Sequence, residues 1–214
     1  MPIKIHGLAR AICVKRVSLV LEEKKVPYEL VTETCDTAEA RKQPSYLKLQ
    51  PFAKVPVLED DGVFIYESRA ICKYIAKKYA SQGPKLMPDD ADLAGYGLFE
   101  QACSIENNYF NAPTEGLAWE LVFKPHHGGT TDDARVQELA AQLDKALAVY
   151  DTILGGQKYL SGDEISLADL FHLPYGHMVR NIGYKKAFEK YPNVERWFAG
   201  LEARDSWVKV SSAA

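Results

Sequence analysis

Gln50-Pro51-Phe52-Ala53-Lys54-Val55-Pro56-Val57-Leu58, followed closely by Tyr66-Glu67-Ser68-Arg69-Ala70-Ile71, is the stretch that decides how this chain is read. Proline cannot donate to a sheet ladder, so a Val-Pro-Val run that opens a strand belongs at a strand start or edge. A cis Val55–Pro56 bond would turn the N–H and C=O of Val55 outward, free to pair with an extended peptide. Asp60-Asp61-Gly62 then reads as a tight turn between the apolar runs Val55–Leu58 and Val63–Tyr66. Glu67-Ser68 opens an amphipathic helix with Ile71, Tyr74 and Ile75 on one face. Ser68 is the expected N-cap, and the unpaired N–H groups of such a helix start attract a carboxylate. The stretch therefore offers a strand edge for a short peptide backbone and, beside it, a site for an anion.

Working outward, Ile3–His6 reads as a first strand and Gly7–Ala11 as a loop. A helix is expected from about Ile12 to Lys25, with Cys13, Val17 and Leu21 on one face and Val26-Pro27 as its stop. Tyr28–Val31 reads as a second strand, and Thr37–Gln43 as a short helix leading through Ser45-Tyr46-Leu47 to the Val-Pro loop. The composition shifts at Tyr79-Ala80-Ser81-Gln82-Gly83-Pro84, and beyond it the strand signals disappear. The expected division is a domain over 1–79, a linker over 80–89 and a second, all-helical domain over 90–214. In that second part a helix from Asp90 carries Leu98, Ala102, Ile105 and Tyr109 on one face, and a break is expected around Asn111–Gly116. Val136, Leu139, Leu143, Leu147, Tyr150 and Leu154 form a helical stripe. Ser166 with Asp169 makes a capping box opening a core helix that reaches about Asn181. Helices over Pro192–Ala203 and Ser206–Val210 complete the reading.

Composition narrows the function classes. An apolar fraction of 47% and a charged fraction of 26% over 214 residues are those of an ordinary globular protein. A net charge of −3, with no Lys/Arg stripe, argues against nucleic acid. No segment approaches the ~20 apolar residues of a membrane span. The chain opens directly into a strand-like run, and its four scattered cysteines read as free thiols, so a reducing, cytoplasmic location is expected. His126-His127 and the His172/His177 pair are not spaced as ligands, and no metal is expected.

On these residues the chain resembles the glutathione transferases. "QPFAKVPVLEDDG" and "YESRAICKYI" are similar to that family's glutathione-binding loop and to the strand, turn and helix after it. The likeness covers essentially the whole chain and is greatest to the phi class of plants and its fungal relatives. It implies an N-terminal thioredoxin-like α/β domain followed by an all-helical C-terminal domain. It also implies a homodimer, with Phe52 as an aromatic anchor into the partner, and glutathione as co-substrate. Val55, on the turn made with Pro56, would pair with the cysteinyl backbone, and Glu67 with Ser68 would take the γ-glutamyl end. Arg41 and Lys42 fall where glycyl-carboxylate ligands lie, and Lys54 stands where relatives often carry Gln and would reach a carboxylate as a point charge. Leu8, Ala9, Tyr109, Phe110, Trp119, Phe123 and Met178 are the expected wall of a hydrophobic-substrate pocket between the domains.

One departure matters. Phi enzymes activate glutathione with a serine at the start of the first helix, and here that slot holds Ala11, between Arg10 and Ile12. No Ser, Thr or Tyr lies in Gly7–Arg16. The backbone N–H groups of Ala11 to Cys13 and the charge of Arg10 are the expected substitutes. Cys13 opens a different chemistry, a mixed disulfide with glutathione. Three functions therefore compete: a transferase acting on electrophiles or peroxides, a carrier of planar hydrophobic ligands such as flavonoids, and a Cys13-dependent reductase.

Overall fold

The computed structural model describes residues 2–213. The chain divides into two compact units, one comprising residues up to Met87 together with those from Arg204 on, the other Pro88–Ala203.

The first unit is built on a four-stranded sheet of β1 (Ile3–His6), β2 (Tyr28–Val31), β3 (Val57–Asp60) and β4 (Val63–Tyr66). Its order is β2-β1-β3-β4, with β1 parallel to β2 and the other pairs antiparallel. His6 therefore lies opposite both Val31 and Val57, placing the end of β1 beside the Val-Pro loop. The β3–β4 hairpin closes through Asp61 and Gly62, both at positive φ (49° and 84°), the backbone of a type I′ turn.

Helix α1 (Ile12–Glu23) buries Val14, Val17, Leu19 and Leu21 and packs against α4 (Ser68–Lys78). It stops before Lys25, in a Schellman motif: Val26 N–H donates to Leu21 O at 2.9 Å and Lys25 N–H to Glu22 O at 3.0 Å, with Lys25 at φ 54°. Two short helices, α2 (Ala38–Arg41) and α3 (Pro44–Leu47), lead to the Val-Pro loop.

Asp60 ties β3 to α4, its buried carboxylate accepting from Tyr74 Oη at 2.8 Å and from Lys78 Nζ. Burial pushes the Asp60 carboxyl up, and the bonds from Lys78 and Tyr74 more than offset it, so its pKa lies below the ordinary value. A depressed carboxyl stabilises the fold above its unfolded pKa and loses that contribution as pH falls through the folded one. Acid titration should therefore destabilise the native chain more steeply below pH ~4 than it does Asp60→Asn. Parallel denaturant curves at pH 7 and 3 would show this, and equal slopes for the two proteins would contradict it.

The second unit begins with a helix capped by Asp92, whose carboxylate accepts from Gly95 N–H at 2.8 Å. It runs without interruption through α5 (Leu93–Ile105), a π-helical segment over Glu106–Asn111, α6 (Ala112–Ala118), a second π segment over Trp119–Phe123, and α7 (Lys124–His126). The expected break at Asn111–Gly116 does not occur. The wide π turn absorbs Pro113, and Thr114 Oγ1 donates to the Phe110 carbonyl at 2.8 Å.

Helix α8 (Asp133–Gly156) buries the predicted stripe from Leu139 to Leu154. The Ser166–Asp169 capping box is present and opens α9 (Leu167–Leu170). That helix is only four residues long: Pro174 starts α10 (Leu173–Val179), and a π segment over Arg180–Tyr184 with Gly183 at φ 119° follows. Helices α11 (Lys185–Glu189) and α12 (Pro192–Glu202) complete the unit around a core of Phe110, Tyr150, His172, Phe188, Trp197 and Phe198.

The last helix, α13 (Asp205–Ser211), belongs with the first unit and packs on α1. Arg204 donates to both carboxylate oxygens of the buried Glu23 there. No helix among the described residues is long and apolar enough to cross a membrane.

Candidate functional site

Three chain turns carry the first unit's predicted site residues other than Arg41 and Lys42, which lie at the end of α2. The first is the entry to α1. A Cβ on Gly7 would meet Val14 Cγ2 at 2.5 Å, so only glycine lets β1 turn this closely over the helix. Ala11 is the N-cap, in extended backbone (φ −72°, ψ 130°), and has no side chain able to accept from the helix start. Its own N–H donates to Leu8 O at 2.9 Å, and the first helical bond is Lys15 N–H to Ala11 O. Among the described residues the unpaired N–H groups are therefore those of Ile12, Cys13 and Val14, one residue later than the expected Ala11 to Cys13. Arg10 is exposed and its guanidinium has no partner among the described residues. Cys13 is partly exposed, and Arg16 Nη1 lies 3.6 Å from its sulfur.

The second turn is the Val-Pro loop. Val55–Pro56 is cis. The loop before it is held from within: buried Gln50 accepts from Phe52 N–H through Oε1 at 2.6 Å and from Ala53 N–H through its carbonyl at 3.1 Å. Tyr46, 1% exposed and packed with Cys35 and Val57, donates its hydroxyl to Lys54 O at 2.7 Å. The Val55 N–H and C=O make no hydrogen bond with the described residues. The Lys54 side chain is exposed and unpaired among the described residues.

The third turn is the entry to α4. Glu67, not Ser68, is the N-cap: it sits at φ 71°, ψ 105°, a conformation that lifts the chain out of β4, while Ser68 is already helical. The expected Ser68 cap is corrected accordingly, because its hydroxyl faces α1 and accepts from Arg16 Nη1 at 3.0 Å. Ile71 N–H is the first to find a helical partner, Glu67 O at 2.9 Å, so the first turn's amides point out of the helix start. The Glu67 carboxylate is exposed and unpaired among the described residues. Of the other two predicted anion ligands, Arg41 is tied back to Cys35 O at 2.9 Å, while Lys42 is exposed.

Deeper in α4, the wholly buried Cys72 donates to Arg16 O at 3.5 Å, and burial pushes its thiol up to about 12. That excludes it as a thiolate.

The predicted hydrophobic-substrate residues are divided. Leu8 and Ala9 are half-buried in the loop before α1. In the helical unit, Trp119 and Phe123 share a groove of about 430 Å³ with Leu139, His127 and Tyr175. Tyr109 lines a different cavity of about 570 Å³ with Ile105, Pro113, Val149 and Tyr150. Phe110 lines neither. It is 0% exposed, with its ring 4.5 Å from that of His172, and is corrected to a core residue. Met178 is half-buried on α10 and lines neither groove. Three residues that shape the first unit's site were not picked out from the sequence: Arg16, Tyr46 and Gln50. Only the Arg16 position, a charge in the apolar register of α1, carried a signal.

No group of His, Cys, Asp and Glu side chains among the described residues is arranged to hold a metal ion.

Comparison with known proteins bears on the same residues. The family model "Glutathione S-transferase, N-terminal domain" matches residues 1–77, and "Glutathione S-transferase, C-terminal domain" matches residues 110–205. The chain is 52% identical to glutathione S-transferase hmp2 of Hypomyces subiculosus over 100% of both chains. Among solved structures it is similar to glutathione transferase F7 from Populus trichocarpa, with a TM-score of 0.93, 30% identity and coverage of 99% of this chain and 98% of that one. It is likewise similar to glutathione S-transferase I from mais in complex with an atrazine glutathione conjugate, with a TM-score of 0.91, 34% identity and coverage of 100% and 98%.

Proposed function

The chain belongs to the glutathione S-transferase family, and on that premise we propose that it activates bound glutathione with a helix start and a cation instead of a hydroxyl. The observation carrying this reading is the entry to α1, where Ala11 is the cap, three amides are unpaired and Arg10 is exposed beside them. Val55 pairs with the cysteinyl backbone, the start of α4 with Glu67 takes the γ-glutamyl group, and Lys42 and Lys54 supply positive charge for the glycyl carboxylate. The thiol proton leaves to solvent, and the thiolate is held by the Ile12–Val14 amides and the Arg10 guanidinium. Its sulfur attacks an apolar electrophile, forming a C–S bond as the leaving group departs with its electron pair. Within the helical unit, the groove walled by Trp119, Phe123 and Tyr175 is proposed as a seat for an apolar ligand. Arg10→Ala should lower the rate with a standard electrophilic aryl substrate several-fold and shift the rising limb of its pH profile upward. An unmoved profile would remove Arg10 from the mechanism.

The positioning of Val55 depends on Tyr46. Its hydrogen bond to the Lys54 carbonyl contributes about 1 kcal/mol, so Tyr46→Phe should raise the KM for glutathione about fivefold. Steady-state kinetics with varied glutathione would show it, and an unchanged KM would place the clamp outside the binding site.

Two observations keep other activities in play. The apolar cavity beside Tyr109 would suit a planar hydrophobic ligand, as in a carrier: tight displacement of a fluorescent probe with negligible turnover would favour that reading. Cys13, partly exposed beside Arg16, would suit a reductase: Cys13→Ser abolishing glutathione release from a mixed disulfide would favour it, and full retention would exclude it.

We also assign a homodimer anchored by Phe52. That ring is 67% exposed and meets Tyr66 edge-on with centroids 6.2 Å apart, and Val63 and Phe64 of β4 are exposed as well. Phe52→Ser should move the sedimentation equilibrium towards monomer, and an unchanged mass would dismiss the anchor. The free cysteines fit a reducing, cytoplasmic compartment.

A further inference from the structure

Arg16 is a guanidinium only 1% exposed, on the second turn of α1. Its Nη1 donates to Ser68 Oγ at 3.0 Å and reaches Cys13 Sγ at 3.6 Å, so one cation touches the helix that faces the thiol and the helix that faces the γ-glutamyl group. Ser68 is 7% exposed. A hydroxyl has one proton and two lone pairs, and an oxygen that accepts from a guanidinium must send its own proton elsewhere. At the first position of α4 no preceding helical turn supplies a carbonyl, and the Ser68 proton has no acceptor among the described residues. Accepting from a cation also strengthens the same oxygen as a donor, since hydrogen bonds in series polarise one another.

We propose that Arg16 is a positioning residue that fixes Ser68 as a one-way donor to the α-carboxylate of the γ-glutamyl group, and so sets the selectivity for a γ-linked peptide that carries this carboxylate. The inference rests on the reading that the start of α4 takes that group. Arg16 acts through Ser68 and does not touch the ligand. Its planar fork serves two acceptors from one fixed position, which the point charge of lysine does not reproduce.

The test compares glutathione with 4-aminobutyryl-cysteinyl-glycine, which lacks only that carboxylate, in the full-length protein with one aryl electrophile. In the native protein the analogue should show a KM about tenfold or more above that of glutathione. Equal values would defeat the underlying reading of α4 and with it this inference. If the native protein does discriminate, the KM for glutathione should rise in the order native, Arg16→Lys, Arg16→Met, reaching about tenfold. The KM for the analogue should stay within twofold throughout, so that discrimination collapses. A parallel rise for both peptides would overturn the proposal, because general damage to the site affects them equally. If Arg16→Met does not fold, Arg16→Lys decides alone. Loss of the fold in both would assign the guanidinium to the core and overturn the proposal as well.

Discussion

Ala11→Ser raises the conjugation rate with an electrophilic aryl substrate about tenfold or more at neutral pH. The expectation follows from the cap position, where Ala11 has extended backbone and its side chain makes no bond to the helix start. A serine hydroxyl there would be placed to donate to the glutathione sulfur. A hydrogen bond to a charged acceptor is worth roughly 1.5–3 kcal/mol, and one pKa unit is about 1.4 kcal/mol. On the proposed mechanism the missing hydroxyl would leave the bound thiol about one to two units higher, towards the ~8.5 of a free thiol, where only a few per cent would be thiolate at neutral pH. Restoring it should lower the kinetic pKa by a similar amount and leave the rate above pH ~9 nearly unchanged. A rate unaffected at pH 7 would mean that the sulfur does not lie at Ala11.

The second large effect is on stability. Asp169 is wholly buried and accepts four hydrogen bonds: from Leu160 N–H, Ser166 N–H, Trp197 Nε1 (each 3.0 Å) and Ser166 Oγ (3.1 Å). Burial raises its carboxyl pKa, and these bonds only partly offset the rise. Truncation leaves buried donors of three separate chain segments without an acceptor. Breaking a buried network of this kind costs about 3–5 kcal/mol, so Asp169→Ala should unfold roughly 10 °C below the native protein. Asp169→Asn, which keeps acceptor oxygen, should lose less. A loss below about 1 kcal/mol in Asp169→Ala would show that the box is redundant with the aromatic core around His172 and Trp197.

Much of this was legible where chemistry and backbone coincide. Asp61-Gly62 allows few turns other than type I′, and Ser166-x-x-Asp169 can satisfy its amides only by capping a helix. The Val-Pro loop and the helix start beside it likewise emerged from residue types that fix or free the backbone. Features set by conformation or by distant packing were not legible. Nothing in Glu67-Ser68 says that the glutamate adopts φ 71° and takes the cap, leaving the serine to Arg16. Pro113 signals a break, and only the π turn before it keeps the long helix whole. Tyr109 and Phe110 are adjacent aromatics that point in different directions from the π-helical turn, so one is 63% exposed and the other is core. The docking of α13 on α1 depends on the long-range pair Glu23–Arg204, which no local pattern announces.

The most direct test is a crystal structure of the protein with glutathione bound. The account predicts the cysteinyl backbone paired with the N–H and C=O of Val55, the γ-glutamyl carboxylate at the start of α4 beside Ser68, and a non-covalent sulfur facing the Ile12–Val14 amides. A peptide bound away from Val55, or a sulfur turned away from the start of α1, would contradict it.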